Sequence, residues 1–400
     1  MKNLLTLLHF TVLLVFIVSC SSNQHNDEND TSFIGENVSF SANQYSLMID
    51  KIEDFANLVN PKSIIDGEMK YIPATEWTSG FFPGSLWYLY ELTGDEKWKP
   101  LAIKYTEALD SIQYYTGNHD VGFMIYCSYG NGLRLTGNEA YKNVIINAAK
   151  SLSTRYKPAA GIIQSWNANK SNDWLCPVII DNMMNLELLF EATKLSGDST
   201  FHNIAINHAN TTIKNHYRPD YSTWHVIDYD TNDGSVRHRN THQGFSDEST
   251  WSRGQIWGVY GFVICYRETG NPVYLEQAIK SAEYVLNHPN YPEDGVPYWD
   301  ISADDITDTY RDASAGAILA SALYELSTFS NDRDYKSIAD NIITTLSGPE
   351  YRAELGENGD FILMHSVGSL PHNSEVDVPL NYADYYYLEA LKRKKELENK

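Results

Sequence analysis

The chain has 400 residues and a formal net charge of −22, with no basic stripe to offset it, which excludes a nucleic-acid partner. Its 28 tyrosines and nine tryptophans exceed what a helical core needs. Flat aromatic faces with polar rims suit sugar rings, although most of the tyrosines are expected simply to fill gaps between helices.

Residues 1–20 open with Lys2 and an apolar stretch through Val18, too short to span a membrane and typical of a secretory signal. Ile17-Val18-Ser19-Cys20 resembles a bacterial lipobox and makes Cys20 the expected lipidation site. The plainer alternative is a signal peptide with an incidental cysteine. Lipidation places the protein in the periplasm, anchored to the outer membrane and touching membrane only through that lipid, with the cell surface as the other option. Residues 21–38 are rich in Ser, Asn, Asp and Glu and read as a flexible tether. Residues 39–400 read as one domain, large enough for a substantial core.

A helix is expected over residues 44–59. One small pattern then recurs five times: Gly94 leads to Trp98, Gly137 to Tyr141, Gly197 to Phe201, Gly270 to Tyr274 and Asn331 to Tyr335. Glycine, or failing that asparagine, ends a helix by accepting a left-handed backbone, and the Asp or Asn that follows each glycine can cap the next helix. Each instance reads as helix, tight turn, helix. The second helix of each pair is amphipathic, with Tyr141, Val144, Ile145 and Ala148 at helical spacing, and so belongs on the outside. The first is apolar nearly all round, as over residues 183–195, and belongs inside. With a last helix over residues 381–395, twelve helices alternate inner and outer. The fold class is therefore all-α, an (α/α)6 barrel of six helical hairpins.

Shortly before each turn, where an inner helix should begin, the chain becomes rich in Trp, His and Asp. The segments start at Trp77, His119, Asp181, Trp251 and Asp312. In a barrel of hairpins all inner helices start at one end, so these segments converge on one mouth. Asp120 and Asp181 stand just ahead of inner helices, where an aspartate taken alone is most often a simple N-cap. Apolar neighbours around Asp181 raise its pKa while the helix N-terminus lowers it, which suits a general acid or base. Two carboxyls at one mouth can work as a pair, the charged one keeping a proton on its neighbour. Arg253 offers a planar fork for a carboxylate, with Trp251 and Trp257 to flank a ring and Gly254 to let backbone approach. The structural alternative pairs Arg253 with Asp247 or Glu248 and buries both tryptophans. Cys127, Cys176 and Cys265 form no C-x-x-C pair and read as buried free thiols. No metal and no cofactor is expected. Asp228 to Gly234 resembles a calcium loop only faintly and reads as a surface turn.

Six motifs in order, Trp77-Thr-Ser-Gly-Phe-Phe-Pro-Gly84, His119-Asp-Val-Gly-Phe123, Asp181-Asn-Met-Met-Asn-Leu186, Thr241-His-Gln-Gly244, Trp251-Ser-Arg-Gly-Gln-Ile-Trp257 and Ala383-Asp-Tyr-Tyr-Tyr-Leu-Glu-Ala-Leu391, resemble the unsaturated glucuronyl hydrolases of glycoside hydrolase family 88. The resemblance covers nearly the whole chain after the tether and implies the same six-hairpin barrel. It also implies an unusual reaction on lyase-generated oligosaccharides. The C4=C5 bond of a non-reducing-end unsaturated uronate is hydrated, and the resulting hemiketal opens and releases the neighbouring sugar. Carried over by position, Asp181 resembles the catalytic acid/base and Asp120 its partner. Trp77, His119, Trp166, His225, Gln243, Trp251, Arg253 and Trp257 resemble substrate-binding residues. Ser366 and Ser369 keep the spacing of a sulfate-reading motif in some members, but Pro371 stands where its lysine would be. The sister family of unsaturated rhamnogalacturonyl hydrolases tends to read R-G-N-G-W where this chain has Arg253-Gly-Gln-Ile-Trp257, which favours the glucuronyl branch. The expected partner is an unsaturated uronate disaccharide or oligosaccharide from a glycosaminoglycan. The alternatives are a rhamnogalacturonan- or ulvan-type uronate, an ordinary glycosidase on saturated sugars, and a non-catalytic glycan-binding lipoprotein.

Overall fold

The computed structural model describes residues 32–52, 60–303 and 309–399. Cys20, the signal segment and most of the expected tether lie outside these residues. Among the described residues thirteen α-helices run in chain order: α1 (Phe33–Ile52), α2 (Phe81–Thr93), α3 (Trp98–Glu107), α4 (Val121–Ile125), α5 (Asn131–Thr136), α6 (Glu139–Ser153), α7 (Asn182–Ser196), α8 (Ser199–Asn215), α9 (Ser252–Thr269), α10 (Pro272–Leu286), α11 (Ala313–Leu326), α12 (Tyr335–Leu346) and α13 (Asn381–Glu398). Helices α2, α4 with α5, α7, α9, α11 and α13 pack side by side, and α13 returns against α2 to close an inner ring. The others pack outside it, α1 and α3 on α2, α6 on α4 and α7, α8 on α7, α10 on α9 and α12 on α11. This is the (α/α)6 barrel.

Local chemistry explains most of the hairpins. Gly94, Gly137, Gly197 and Gly270 all take left-handed backbone at the ends of inner helices, a conformation that costs any residue with a Cβ. Asn138, Asp198 and Asn271 then accept the backbone N–H two residues on, which caps the outer helices. The fifth turn differs. Helix α11 ends at Leu326 with Ser327 still right-handed, Asn331 is not left-handed, and Asp334 rather than the expected residue caps α12 through the Ser337 N–H. Every residue of α11 is buried, and its many alanines let neighbouring helices approach closely.

Three further expectations change. Helix α1 begins at Phe33, so residues 33–38 belong to the barrel rather than the tether. Ile34, Val38, Tyr45, Met48 and Ile49 form one buried stripe, which polar neighbours hid in the composition. The second inner helix is not continuous, because a wide π-turn over Tyr126–Gly130 separates α4 from α5. There Ser128 Oγ donates to the Met124 carbonyl at 2.7 Å. Asp228 is not on a surface turn: it is fully buried in a strand, accepts the N–H groups of Leu175 and Cys176, and pairs with Arg237.

Short antiparallel strands occupy the long loops that lead into the inner helices. They are β1 (Asn60–Ile65) with β2 (Glu68–Ile72), β3 (Tyr156–Lys157) with β4 (Ile162–Ile163), β5 (Pro177–Ile179) with β6 (Val226–Tyr229) and β7 (Val236–Asn240), and β8 (Ser366–Ser369) with β9 (Ser374–Val378). Strand β5 runs directly into Asp181 and α7. Cys127, Cys176 and Cys265 are free and buried. Among the described residues no helix is long and apolar enough to cross a membrane, and no group of three or more His, Cys, Asp or Glu side chains could hold a metal ion.

Candidate active site

Asp120 and Asp181 immediately precede α4 and α7, yet neither side chain caps its helix. Asp312 in the equivalent place does, accepting the Ser314 N–H at 3.1 Å and the Ser314 hydroxyl at 2.5 Å. The usual structural reason for an aspartate therefore applies to Asp312 and not to the other two. Each of the two keeps only 10 % of its side chain exposed. Asp181 Oδ2 has no hydrogen-bond partner in the protein. Burial raises the Asp181 carboxyl to about 7 against the pull of the Arg253 charge and a backbone N–H. Asp120 is pushed well above the ordinary range, first by burial, then by the charges of Asp181 and Glu76. The Asp181 charge opposes ionisation of Asp120, so the pair retains a proton at neutral pH.

Each aspartate faces a histidine whose tautomer the hydrogen bonds assign. Asn185 Oδ1 accepts the Phe123 N–H at 2.9 Å, so its amide NH2 is the group facing His119 Nδ1 at 3.3 Å. His119 Nδ1 is then an acceptor, and Nε2 carries the proton, 3.2 Å from Asp120 Oδ1. His225 Nδ1 accepts the N–H groups of His242 and Gln243 at 3.1 and 3.2 Å. Its Nε2–H therefore faces Asp181 Oδ2, at 3.8 Å. Burial holds both rings neutral, with His119 down at about 3 and His225 well below its ordinary value. The close approach of α4 to α7 depends on Gly122, where a Cβ would lie 2.4 Å from Asn185 Oδ1.

Next to His225 opens a cavity of about 350 Å³ whose lining includes Trp77, Trp166, Gln243 and Arg253. Arg253 is buried and pairs with Asp312 at 2.5 Å, not with Asp247 or Glu248. It also donates to the carbonyls of Val367 and Gly368, and Gln243 Nε2 donates to the same Gly368 carbonyl at 2.9 Å. The guanidinium is thus clamped from the α11 cap and from β8, while its Nε–H has no acceptor in the protein. A fixed cation at a cavity wall suits a carboxylate.

The two flanking tryptophans do not stand where they were expected. Trp257 is fully buried, packing on Phe123 at 5.2 Å and Tyr386 at 5.3 Å, because α9 turns that face towards the barrel axis. Trp251 lies behind His225, 4.5 Å between rings, and under the Arg253 guanidinium at 4.7 Å. Neither lines the cavity. Gly254 serves the same packing: a Cβ there would meet the Trp251 ring at 2.5 Å. Asp120, Asp181, His119 and His225 also lie outside the cavity's lining, and His225 adjoins it by accepting the N–H groups of His242 and Gln243.

Several residues of the site escaped sequence reasoning. Tyr382 lines the cavity from the start of α13, 5.0 Å from the Trp77 ring, with a buried hydroxyl that has no partner. Its motif stood in register with the other inner-helix starts, so the signal was present. Lys62 and Glu375 lie on the same wall, with Lys62 2.7 Å from Glu375 and 2.8 Å from the part-exposed Glu76. Residues so far apart in sequence gave no local sign of meeting. His242 and His372 line the outer part. Ser369 also lines the cavity and lies 2.8 Å from His372 Nδ1, whereas Ser366 is buried in β8. A cavity of about 500 Å³ at the opposite end of the barrel is crossed by Arg134, Arg267 and Arg393. All three are ion-paired to glutamates and leave no charge for a ligand.

The family model described as Glycosyl Hydrolase Family 88 matches residues 49–396. The chain is 46 % identical over 398 residues to an unsaturated glucuronyl hydrolase of Formosa agariphila, spanning 99 % of each protein. It is 33 % identical over 337 residues to an unsaturated chondroitin disaccharide hydrolase of Streptococcus pyogenes serotype M1, spanning 82 % of this chain and 83 % of the relative. A solved unsaturated glucuronyl hydrolase specific for heparin superposes with a TM-score of 0.87 at 46 % identity, covering 91 % of this chain and 98 % of the other.

Proposed function

The chain belongs to glycoside hydrolase family 88, and from that membership we propose that it removes the 4,5-unsaturated glucuronate from the non-reducing end of lyase-generated glycosaminoglycan oligosaccharides. The observation that carries the chemistry is Asp181, a buried carboxyl raised to about 7 with one oxygen left unpartnered. Such a group holds a proton near neutral pH and can both give and take one. In the proposed reaction Asp181 protonates C4, and positive charge develops at C5, shared with the ring oxygen. Water adds to C5 and returns its proton to Asp181. The C5 hemiketal then opens, C5 becomes a ketone, and the hemiacetal at C1 collapses with release of the neighbouring sugar. The neutral His119 and His225 rings stand beside the two carboxyls, with Nε2 3.2 Å from Asp120 and 3.8 Å from Asp181. Arg253 holds the uronate carboxylate, Gln243 hydrogen-bonds the sugar, and Trp77 and Trp166 bound the ring. Retaining and inverting geometries do not apply, since the anomeric carbon is not attacked.

The 46 % identical structure specific for heparin favours a heparin-type disaccharide as the first substrate to try. The C4=C5 uronate absorbs in the ultraviolet and its hydrated product does not. Loss of absorbance from lyase-generated heparin, chondroitin or hyaluronan disaccharides, with wild type but not with Asp181→Asn, supports the reading and ranks the substrates. Stable absorbance on all three from folded wild-type protein overturns it. For location we propose a lipid anchor at Cys20 on the periplasmic side of the outer membrane. Cys20→Ser should then move the protein from the membrane to the soluble fraction, and an unchanged distribution would count against the anchor.

A further inference from the structure

Strands β1 and β2 fall out of step by one residue. Pro61 faces Tyr71 and Ser63 faces Lys70, which leaves Lys62 as the extra residue of a β-bulge. A bulge re-aims the side chain it carries. This one sends a lysine, with only 8 % of its side chain exposed, between two carboxylates from distant parts of the chain. Glu76, the residue before Trp77, lies 2.8 Å from Nζ, and Glu375 of β9 lies 2.7 Å from it. Lys70 of β2 approaches the same Glu375 oxygen at 2.9 Å. Burial works against the Lys62 charge, but Glu76 and Glu375 outweigh it and the lysine stays charged.

Glu375 in turn backs the strand that fixes Arg253. Val367 pairs with Val376 and Ser369 with Ser374, so Glu375 stands opposite Gly368. The contact is close: a Cβ on Gly368 would lie 2.6 Å from Glu375 Oε2 and 2.7 Å from its Cβ. The Gly368 carbonyl accepts from Arg253 Nη2 at 2.7 Å and from Gln243 Nε2 at 2.9 Å. Glu375 itself has left-handed backbone, φ 57°, which is costly for a residue with a Cβ and persists where the surroundings hold it. The two lysines on its carboxylate do so.

We propose that Lys62 and Glu375 are positioning residues for the uronate clamp: the pair braces Gly368 and thereby sets the carbonyl shared by Arg253 and Gln243. The inference rests on the reading that Arg253 and Gln243 hold the unsaturated uronate. The brace acts through Gly368 and requires no contact of its own with the sugar.

The test is a double-mutant cycle read in KM and kcat on an unsaturated disaccharide. Glu375→Ala removes the brace and should raise KM about tenfold with kcat within about threefold, as loss of a contact made alike in ground and transition states does. Glu375→Gln keeps the shape against Gly368 and still accepts a lysine N–H, so it should recover most of that loss. In an Arg253→Lys background Glu375→Ala should raise KM by less than about twofold, because the fork it braces is already gone. Lys62→Met leaves β9 intact, should show the same dependence on Arg253, and decides the matter if Glu375→Ala does not fold. Simple repulsion between an unpaired Glu375 and the uronate would instead persist in the Arg253→Lys background. Costs that add in full across the two backgrounds, or a lower Tm with KM unchanged, overturn the proposal. Wild type inactive on every unsaturated disaccharide, or Arg253→Lys with unchanged KM, overturns the parent reading instead, and this inference with it.

Discussion

Asp181→Asn should abolish activity and at the same time stabilise the protein, most at neutral and alkaline pH and little in acid. The substitution keeps the shape of the side chain and removes its charge. Because burial raises the folded carboxyl from its ordinary 3.8 to about 7, the folded state binds this proton more tightly than the unfolded chain does. The stability linked to that proton is present in full below about pH 4, is lost as pH rises through about 7, and stays lost above it. At 1.36 kcal/mol per pH unit between those two values, the loss in wild type is about 4 kcal/mol. Asparagine cannot ionise and escapes it. With an unfolding entropy of about 0.8 kcal/mol/K for a domain of this size, the variant should melt about 5 °C higher at about pH 8 and only about 1 °C higher at about pH 4.5. Differential scanning calorimetry at the two pH values, beside the absorbance assay, measures both effects. An equal Tm change at both pH values, or a fall at the higher one, would refute the claim that burial holds this proton.

Other consequences follow from the same geometry. On the unsaturated disaccharide, kcat/KM should fall as pH rises past about 7, because ionised Asp181 cannot protonate C4, and a descending limb near about 5 would assign the proton to another group. Asn185→Ala removes the donor that fixes the His119 tautomer. It should lower kcat about a hundredfold with little change in KM and displace the descending limb, whereas a purely structural role would lower Tm and leave the limb in place. Trp257→Ala should cost about 3–5 kcal/mol of stability, and the milder Trp257→Phe should leave KM within about twofold, because this ring packs behind the cavity. Trp77→Ala should instead raise KM, since Trp77 lines the cavity, and the reverse ranking would restore Trp257 as a substrate contact.

What could be read from the chain divides by the range of the forces involved. The hairpins were legible because glycine in left-handed backbone and Asn or Asp at an N-cap act within four residues. Asn331 misled because it copied the spacing of those turns, while Ser327 ended the helix by other means and Asp334 took the cap. Periodicity separates inner from outer helices but does not say which face of an inner helix borders a cavity. Trp257 lies inside a helix buried almost all round, where spacing alone reads it as a ligand contact. Asp120 and Asp181 could be named as candidates but not told apart from Asp312, since all three stand ahead of inner helices. Only the bond from Asp312 to Ser314, absent from the other two, separates a cap from a free carboxyl. Partners distant in sequence, Arg253 with Asp312 and Lys62 with Glu375, left no local trace.

The net charge of −22 sets an acidic protein against an anionic substrate, and the catalytic layer suggests how that opposition becomes useful. At physiological salt, screening confines distant repulsion, so the charges next to the uronate decide. In the free protein the Arg253 charge is the chief influence holding Asp181 below where burial alone would put it. A uronate carboxylate beside Arg253 offsets that charge and brings a negative charge of its own towards Asp181. Both changes favour the protonated acid. The substrate thereby helps hold the proton that attacks it, and the group should be more fully protonated in the complex than in the free enzyme. The descending limb of kcat, which reports the complex, should then lie at higher pH than that of kcat/KM, which reports the free enzyme. In Arg253→Lys the cation is no longer held by the same fork of bonds, and the gap between the two limbs should narrow as affinity falls. A kcat limb at or below the kcat/KM limb in wild type would mean that the carboxylate sits elsewhere, and that Arg253 serves the β8 carbonyls and the α11 cap alone.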